Sequence, residues 1–146
     1  MWKSLRSKAR TVKQLSIKDW VLLVEAWWVL PGFQLALRRV PYDRLVNSTG
    51  KVTSKKDVSP DPLGKARQLK RMVEMAARIH LCRLTCLSQA LTLRRMLGRR
   101  GIQSQLRIGM EKTSTGLSSH AWVEVNGESV GEMEDIAGRF KILASK

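Results

Sequence analysis

A chain of 146 residues with 43% apolar side chains is long enough for one domain with a real core and too apolar to be intrinsically disordered. Its 27 Lys and Arg against 12 Asp and Glu leave a formal net charge of +15, which favours anionic partners: nucleic acid, an acidic membrane surface, or an acidic protein or peptide. Two cysteines without a secretory signal read as free thiols in a reducing compartment, so the expected location is cytoplasmic.

Residues 1–15 are a basic tail, with no apolar stretch and small-residue cleavage site behind them. Ser16 followed three positions on by Asp19 is a capping-box signature. A helix is therefore expected over Ile17–Leu30, ended by Pro31-Gly32, with a second short one over Phe33–Val40 stopped by Pro41. The apolar run from Trp20 to Leu37 is interrupted by Glu25, Pro31, Gly32 and Gln34. A spanning helix needs about 20 predominantly apolar residues, so a transmembrane span is rejected. Peripheral membrane contact stays open, because Trp20, Trp27 and Trp28 suit a headgroup boundary. Residues 47–64 are rich in Ser, Thr, Gly, Pro and Lys and read as a surface loop or linker.

A third helix is expected over Lys65 to about Leu81, with Ala66, Leu69, Met72, Val73, Ala76, Ile79 and His80 near one face. Cys82 reads as a core residue of that helix and His80 as a packing histidine. Arg83-Leu84-Thr85 makes a short break. The fourth helix starts at Cys86, turns Leu87, Ala90, Leu91, Leu93, Met96 and Leu97 inward, and ends at Gly98 and Gly101. Arg94, Arg95, Arg99 and Arg100 read as its solvated face. After Gly101 the apolar period changes towards two. Ile102–Met110 is expected as a strand, 111–118 as a polar loop, Ser119–Val125 and Glu128 to about Glu134 as further strands, and Arg139–Leu143 as a short last one. Helices first and a small antiparallel sheet last make an α+β fold. Its expected organisation is a basic tail and helical extension with linker over 1–64 and a core over 65–146.

The chemistry rests on one cysteine and one histidine. Thr85 is a fair N-cap, which puts Cys86 in a first helical turn. Free N–H groups and the positive dipole end at such a place favour a thiolate and can hold an oxyanion. In His120-Ala-Trp-Val-Glu-Val, alternation puts His120 and Trp122 on one face and Ala121, Val123 and Val125 on a core face. A thiol at a helix start and an imidazole on a strand are two halves of a cysteine nucleophile site. A two-residue Asn126-Gly127 turn sets His120 opposite Met133 and points Glu132 to the wrong face. A three-residue loop with Gly127 left-handed sets His120 opposite Glu132 and is the preferred register. Glu132 is then the orienting residue, Glu134 shares its face, and Asp135 is the fallback. Two cysteines and two histidines do not suggest a structural zinc site, which needs four ligands, and no cofactor is called for. No zinc finger, phosphate loop or RNA-binding aromatic pair supports a nucleic-acid partner.

TCLSQALTLRRMLGRRGIQSQLRIGM, a polar loop and HAWVEVNG together resemble the lasso peptide biosynthesis B-proteins, with their papain/transglutaminase-like cysteine protease core. The likeness spans about residues 65–143, and the Trp- and Leu-rich stretch ending near Pro41 is also similar. The resemblance implies a leader peptidase for a ribosomally made precursor, with Cys86 as nucleophile, His120 as base and an acidic third member just past the hairpin. The family usually has Asp there, where this chain offers Glu132. Residues 1–64 look helical and too short for the fused leader-recognition domain of some B-proteins. The resemblance therefore implies the split form: a precursor peptide, a separate leader-recognition protein and an ATP-dependent macrolactam synthetase as partners. The rival readings are a non-catalytic transglutaminase-like scaffold and a basic nucleic-acid-binding helical protein.

Overall fold

In a computed structural model, the described residues are 15–52, 60–131, 138 and 140–145. Four helices precede a four-stranded sheet: α1 (Ile17–Ala36), α2 (Tyr42–Thr49), α3 (Pro62–Ile79), α4 (Cys86–Gly98), β1 (Gln105–Thr113), β2 (Gly116–Val125), β3 (Glu128–Ser129) and β4 (Lys141–Ser145). The expected α+β class is the observed one.

Helices α1, α3 and α4 each begin where the sequence offers a side-chain oxygen to an unpaired N–H, whereas α2 starts after Pro41 with no side-chain cap. At α1, the Lys18 N–H donates to the Ser16 hydroxyl and the Ser16 N–H to the Asp19 carboxylate, both at 3.3 Å. At α3, Asp61 accepts from the Gly64 N–H at 2.8 Å, and Pro62 fills the first turn, where a missing N–H costs nothing. At α4, the Thr85 hydroxyl accepts from the Ser88 N–H at 3.2 Å. That helix ends through Gly101, whose φ of 75° lets the chain turn back, so that the Ile102 N–H reaches the Leu97 carbonyl at 3.1 Å.

Two expectations for the N-terminal half are corrected. Pro31 does not end the first helix but lies inside α1. An interior proline costs about 3 kcal/mol, and here Leu30 (0% exposed) and Phe33 (8%) on either side of it are both core residues. Helix α2 occupies positions 42–49, part of which the composition assigned to the linker. Its Leu45, Val46 and Thr49 are buried, and the Thr49 hydroxyl donates to the Val46 carbonyl at 3.0 Å, so a polar-looking stretch packs.

The sheet is antiparallel in the order β3-β2-β1-β4. The expected polar loop over 111–118 shrinks to Ser114-Thr115, because β1 and β2 pair out to Thr113 and Gly116. Leu106, Ala121, Val123 and Val125 face the helices and join one buried cluster with Leu30 of α1, Leu69 and Val73 of α3, and Leu91 and Leu97 of α4. That cluster unites the segment before the linker with the one after it. By pairing, the other sheet face carries Arg107 opposite Trp122 and Gly109 opposite His120.

Candidate active site

The site is built where α3 stops and α4 starts. Helix α3 ends at Ile79, two residues short of Leu81, so α3 and α4 are separate helices and Cys86 is the first residue of α4. The N–H groups of a first helical turn have no acceptor within the helix, and here the Thr85 hydroxyl takes that of Ser88. Cys86 is half-buried, and Cys82, expected in the core, is exposed in the connection between the helices. The early end of α3 removed the helical face that would have buried it.

Helix α1 also reaches the nucleophile. The Gln34 side-chain oxygen accepts from both the Thr85 N–H and the Thr85 hydroxyl, each at 3.2 Å. The hydroxyl donates there while accepting from the Ser88 N–H, so a single residue ties the start of α4 to α1. Accepting twice fixes which way the Gln34 amide points. Sequence reasoning missed Gln34. The contact joins positions 51 apart, and no local pattern announces it.

His120 reaches the same place from β2. Cys86, Gln89, His120 and Trp122 line one cavity of about 260 Å³, with Lys70 and Glu74 of α3 also in its wall. Lys70 and Glu74 form an ion pair at 3.7 Å. The rest of the lining is largely apolar, including Val73, Ala90 and Leu93. Cys86, Gln89, His120 and the start of α4 thus share the wall of one concave site.

The imidazole is held by aromatic packing. The rings of His120 and Trp122 are stacked, with centroids 6.1 Å apart and planes 14° apart, and Phe140 lies 5.7 Å from His120 and 6.1 Å from Trp122. Trp122 is only 2% exposed, since Phe140 covers a sheet face that alternation alone leaves open. Its indole N–H donates to Glu124 at 3.2 Å, and the other oxygen of Glu124 accepts from Arg107 at 2.9 Å. The chain Arg107–Glu124–Trp122 therefore fixes the surface against which His120 lies. Gly109 makes this packing possible. A Cβ there would lie 2.7 Å from Phe140 Cβ and 3.1 Å from two Trp122 ring carbons.

The hairpin beyond β2 corrects the preferred register. Val125 pairs with Glu128 and Glu124 with Ser129 around a two-residue Asn126-Gly127 turn, with both φ values positive at 54° and 83°. Asn-Gly is the favoured pair for such a turn because both central residues must be left-handed. The register that set His120 opposite Glu132 is thus not the one formed. Gly131, with φ of 67°, takes the backbone out of extended geometry directly afterwards. Glu132, Glu134 and Asp135 lie outside the described residues.

The arginines of α4 are also corrected. Arg94 is 7% exposed, inside the fold, and donates to the Val46 carbonyl at 3.1 Å. Desolvation pushes its guanidinium below the usual range, against a smaller raising influence from Tyr42. Arg99 and Arg100 clasp Glu25 of α1 at 3.1 and 2.6 Å. Of the four, Arg95 and Arg99 are exposed. His80 caps α3, packs its ring 5.1 Å from Trp27, and accepts the Cys82 N–H at 3.4 Å. Among the described residues, no group of three or more His, Cys, Asp or Glu could hold a metal ion.

The family model described as Transglutaminase-like superfamily matches residues 23–145. This chain belongs to the transglutaminase-like superfamily. No curated protein and no solved structure matches it. The superfamily includes cysteine proteases, and the matched range contains α4 with Cys86, β2 with His120, and all of α1 from Leu23 onward, including Gln34. In this transglutaminase-like chain the matched range thus begins within α1 and takes in its residues from Leu23 to Ala36.

Proposed function

We propose that this protein is a cytoplasmic cysteine peptidase that removes the leader from a ribosomally made lasso peptide precursor. It acts with a separate leader-recognition protein and a macrolactam synthetase. The observation that carries the reading is that Cys86, at the start of α4, and His120, on β2, line one cavity. Membership of a superfamily that includes cysteine proteases supports the reaction class. The resemblance of the Cys86 and His120 segments to lasso B-proteins supports the substrate.

In the proposed reaction His120 takes the proton of Cys86, and the thiolate attacks the carbonyl carbon at the leader–core junction. The Cys86 N–H, at the start of α4, and the Gln89 side chain, in the same cavity wall, hold the oxyanion. His120 then gives its proton to the leaving amine of the core peptide. Water, deprotonated by His120, attacks the thioester and frees the leader carboxylate and the thiol. Gln34 acts through Thr85, as a positioning residue for Cys86. The resemblance puts the acidic group that orients His120 just past the hairpin, at Glu132 or Asp135, and the register formed removes the pairing that favoured Glu132.

The test is incubation of a lasso precursor and its leader-recognition protein with wild type, Cys86→Ala or His120→Ala, read by mass. Wild type should release the leader. Each variant should stay folded and release none, and Glu132→Ala should lose less than either. Normal cleavage by Cys86→Ala would sink the nucleophile assignment.

A further inference from the structure

Helix α1 is apolar on two sides. Leu22, Leu23, Ala26, Leu30 and Phe33 enter the core. A second set, Ile17, Trp20, Val21, Val24, Trp28 and Leu35, is exposed, with Trp28 at 69% and Val21 at 62%. They fall at spacings of three, four and seven, with Trp20 beside Val21, and so lie along one side of a helix of 20 residues, roughly 30 Å long. Trp27, 37% exposed, forms the margin of the stripe towards α3. Its ring lies against His80, which brings exposed Ile79 and Leu81 alongside. Monomeric proteins rarely expose contiguous apolar patches this long unless something covers them.

The border of the stripe has one sign of charge. Lys18 follows Ile17, Arg38 and Arg39 follow the C-terminal end, Arg78 and Arg83 flank the Ile79–Leu81 connection, and all five are exposed. Glu25 is neutralised by Arg99 and Arg100, and Asp19 is engaged by Gln68 and the Ser16 N–H. In sequence, the residues preceding this helix add Lys3, Arg6, Lys8, Arg10 and Lys13, with no Asp or Glu before Asp19. A second copy of a chain with charge +15 is repelled from such a border. Three tryptophans on or beside an apolar stripe, within a cationic frame, match the chemistry of a bilayer interface with anionic headgroups. No helix among the described residues is long and apolar enough to cross a membrane, so the matching geometry is a helix lying in the interface plane.

We infer that the exposed face of α1, framed by Lys18, Arg38, Arg39, Arg78 and Arg83, docks this protein on an anionic lipid bilayer. The inference is independent of the reaction proposed above. It also has a structural link to the site, because Gln34, on the same helix, holds Thr85 beside Cys86.

The test is cosedimentation and tryptophan emission of the full chain with phosphatidylcholine–phosphatidylglycerol vesicles against pure phosphatidylcholine vesicles. Wild type should bind the anionic vesicles preferentially, with blue-shifted emission quenched by brominated acyl chains. Val24→Asp and Trp28→Asp alter exposed positions and should keep the far-ultraviolet dichroism and melting of wild type while losing at least about tenfold in binding. Arg38→Gln with Arg39→Gln should cost about fivefold per charge and flatten the salt dependence. Absence of binding overturns the inference. So does binding that Val24→Asp and Trp28→Asp leave intact, since charge alone then explains it. A dimer, or a purified complex with an acidic protein, that these variants dissolve while vesicles remain unbound assigns the stripe to protein and also overturns it.

Discussion

Gly109→Ala tests whether the aromatic packing holds His120. The added Cβ would meet Phe140 Cβ at 2.7 Å and the Trp122 ring at 3.1 Å. Phe140 Cβ is next to the backbone and cannot rotate away, so the chain entering β4 or the Trp122 ring has to shift. Overpacking of this kind costs about 1–3 kcal/mol. Gly109 has no positive φ, so alanine there also recovers about 0.4–1 kcal/mol of unfolded-state entropy. The net loss is about 1.5 kcal/mol, which at a urea slope near 2 kcal/mol/M moves the midpoint down by roughly 0.7 M. Equilibrium urea unfolding of the purified pair reads this directly. Because the close contact is with a Cβ, Phe140→Gly should relieve it and Phe140→Ala should not, which a double-mutant cycle separates. The same displacement moves the rings that pack on His120, so leader cleavage should fall under conditions where Gly109→Ala is fully folded. An unchanged midpoint together with unchanged cleavage refutes the reasoning.

Three further substitutions probe the neighbouring supports. Gln34→Ala removes two partly solvated hydrogen bonds to Thr85, so it should cost under about 1.5 kcal/mol in stability while lowering kcat for leader removal with little change in KM. Glu124→Ala strands the Trp122 indole N–H and removes the carboxylate that Arg107 meets at 2.9 Å, so thermal or urea unfolding should show a loss of about 2–3 kcal/mol, with broadened His120 and Trp122 NMR resonances. Asn126→Ala puts a Cβ without a compensating polar group at φ 54°, and should cost about 1 kcal/mol without affecting cleavage at saturating substrate.

The elements that carry the chemistry were readable because their signals are local. Thr85 before Cys86 and Gly98 and Gly101 behind it bound α4 at both ends, and the alternation in His120–Val125 assigned β2 and its core face. What was not readable depends on contacts distant in sequence. Pro31 normally ends a helix, yet α1 continues because Leu30 and Phe33 are both seated in the core. Arg94 belongs by pattern to a solvated face but spans to the Val46 carbonyl, 48 positions away. Trp122 belongs by alternation to an open face, and Phe140 closes it. Register was a choice between two turns. Asn126-Gly127 already favoured the two-residue form, which the placement of a carboxylate opposite His120 outweighed in the sequence reading.

The central claim is that His120 activates Cys86. The most direct measurement is iodoacetamide labelling at neutral pH, mapped by peptide mass, with Cys82 as the internal reference. Cys82 is the more exposed of the two thiols, so accessibility alone predicts that it reacts first. Cys86 should be labelled first in wild type and lose that advantage in His120→Ala, with Cys82 unchanged. Faster labelling of Cys82 in wild type, with Cys86 indifferent to His120→Ala, would contradict it.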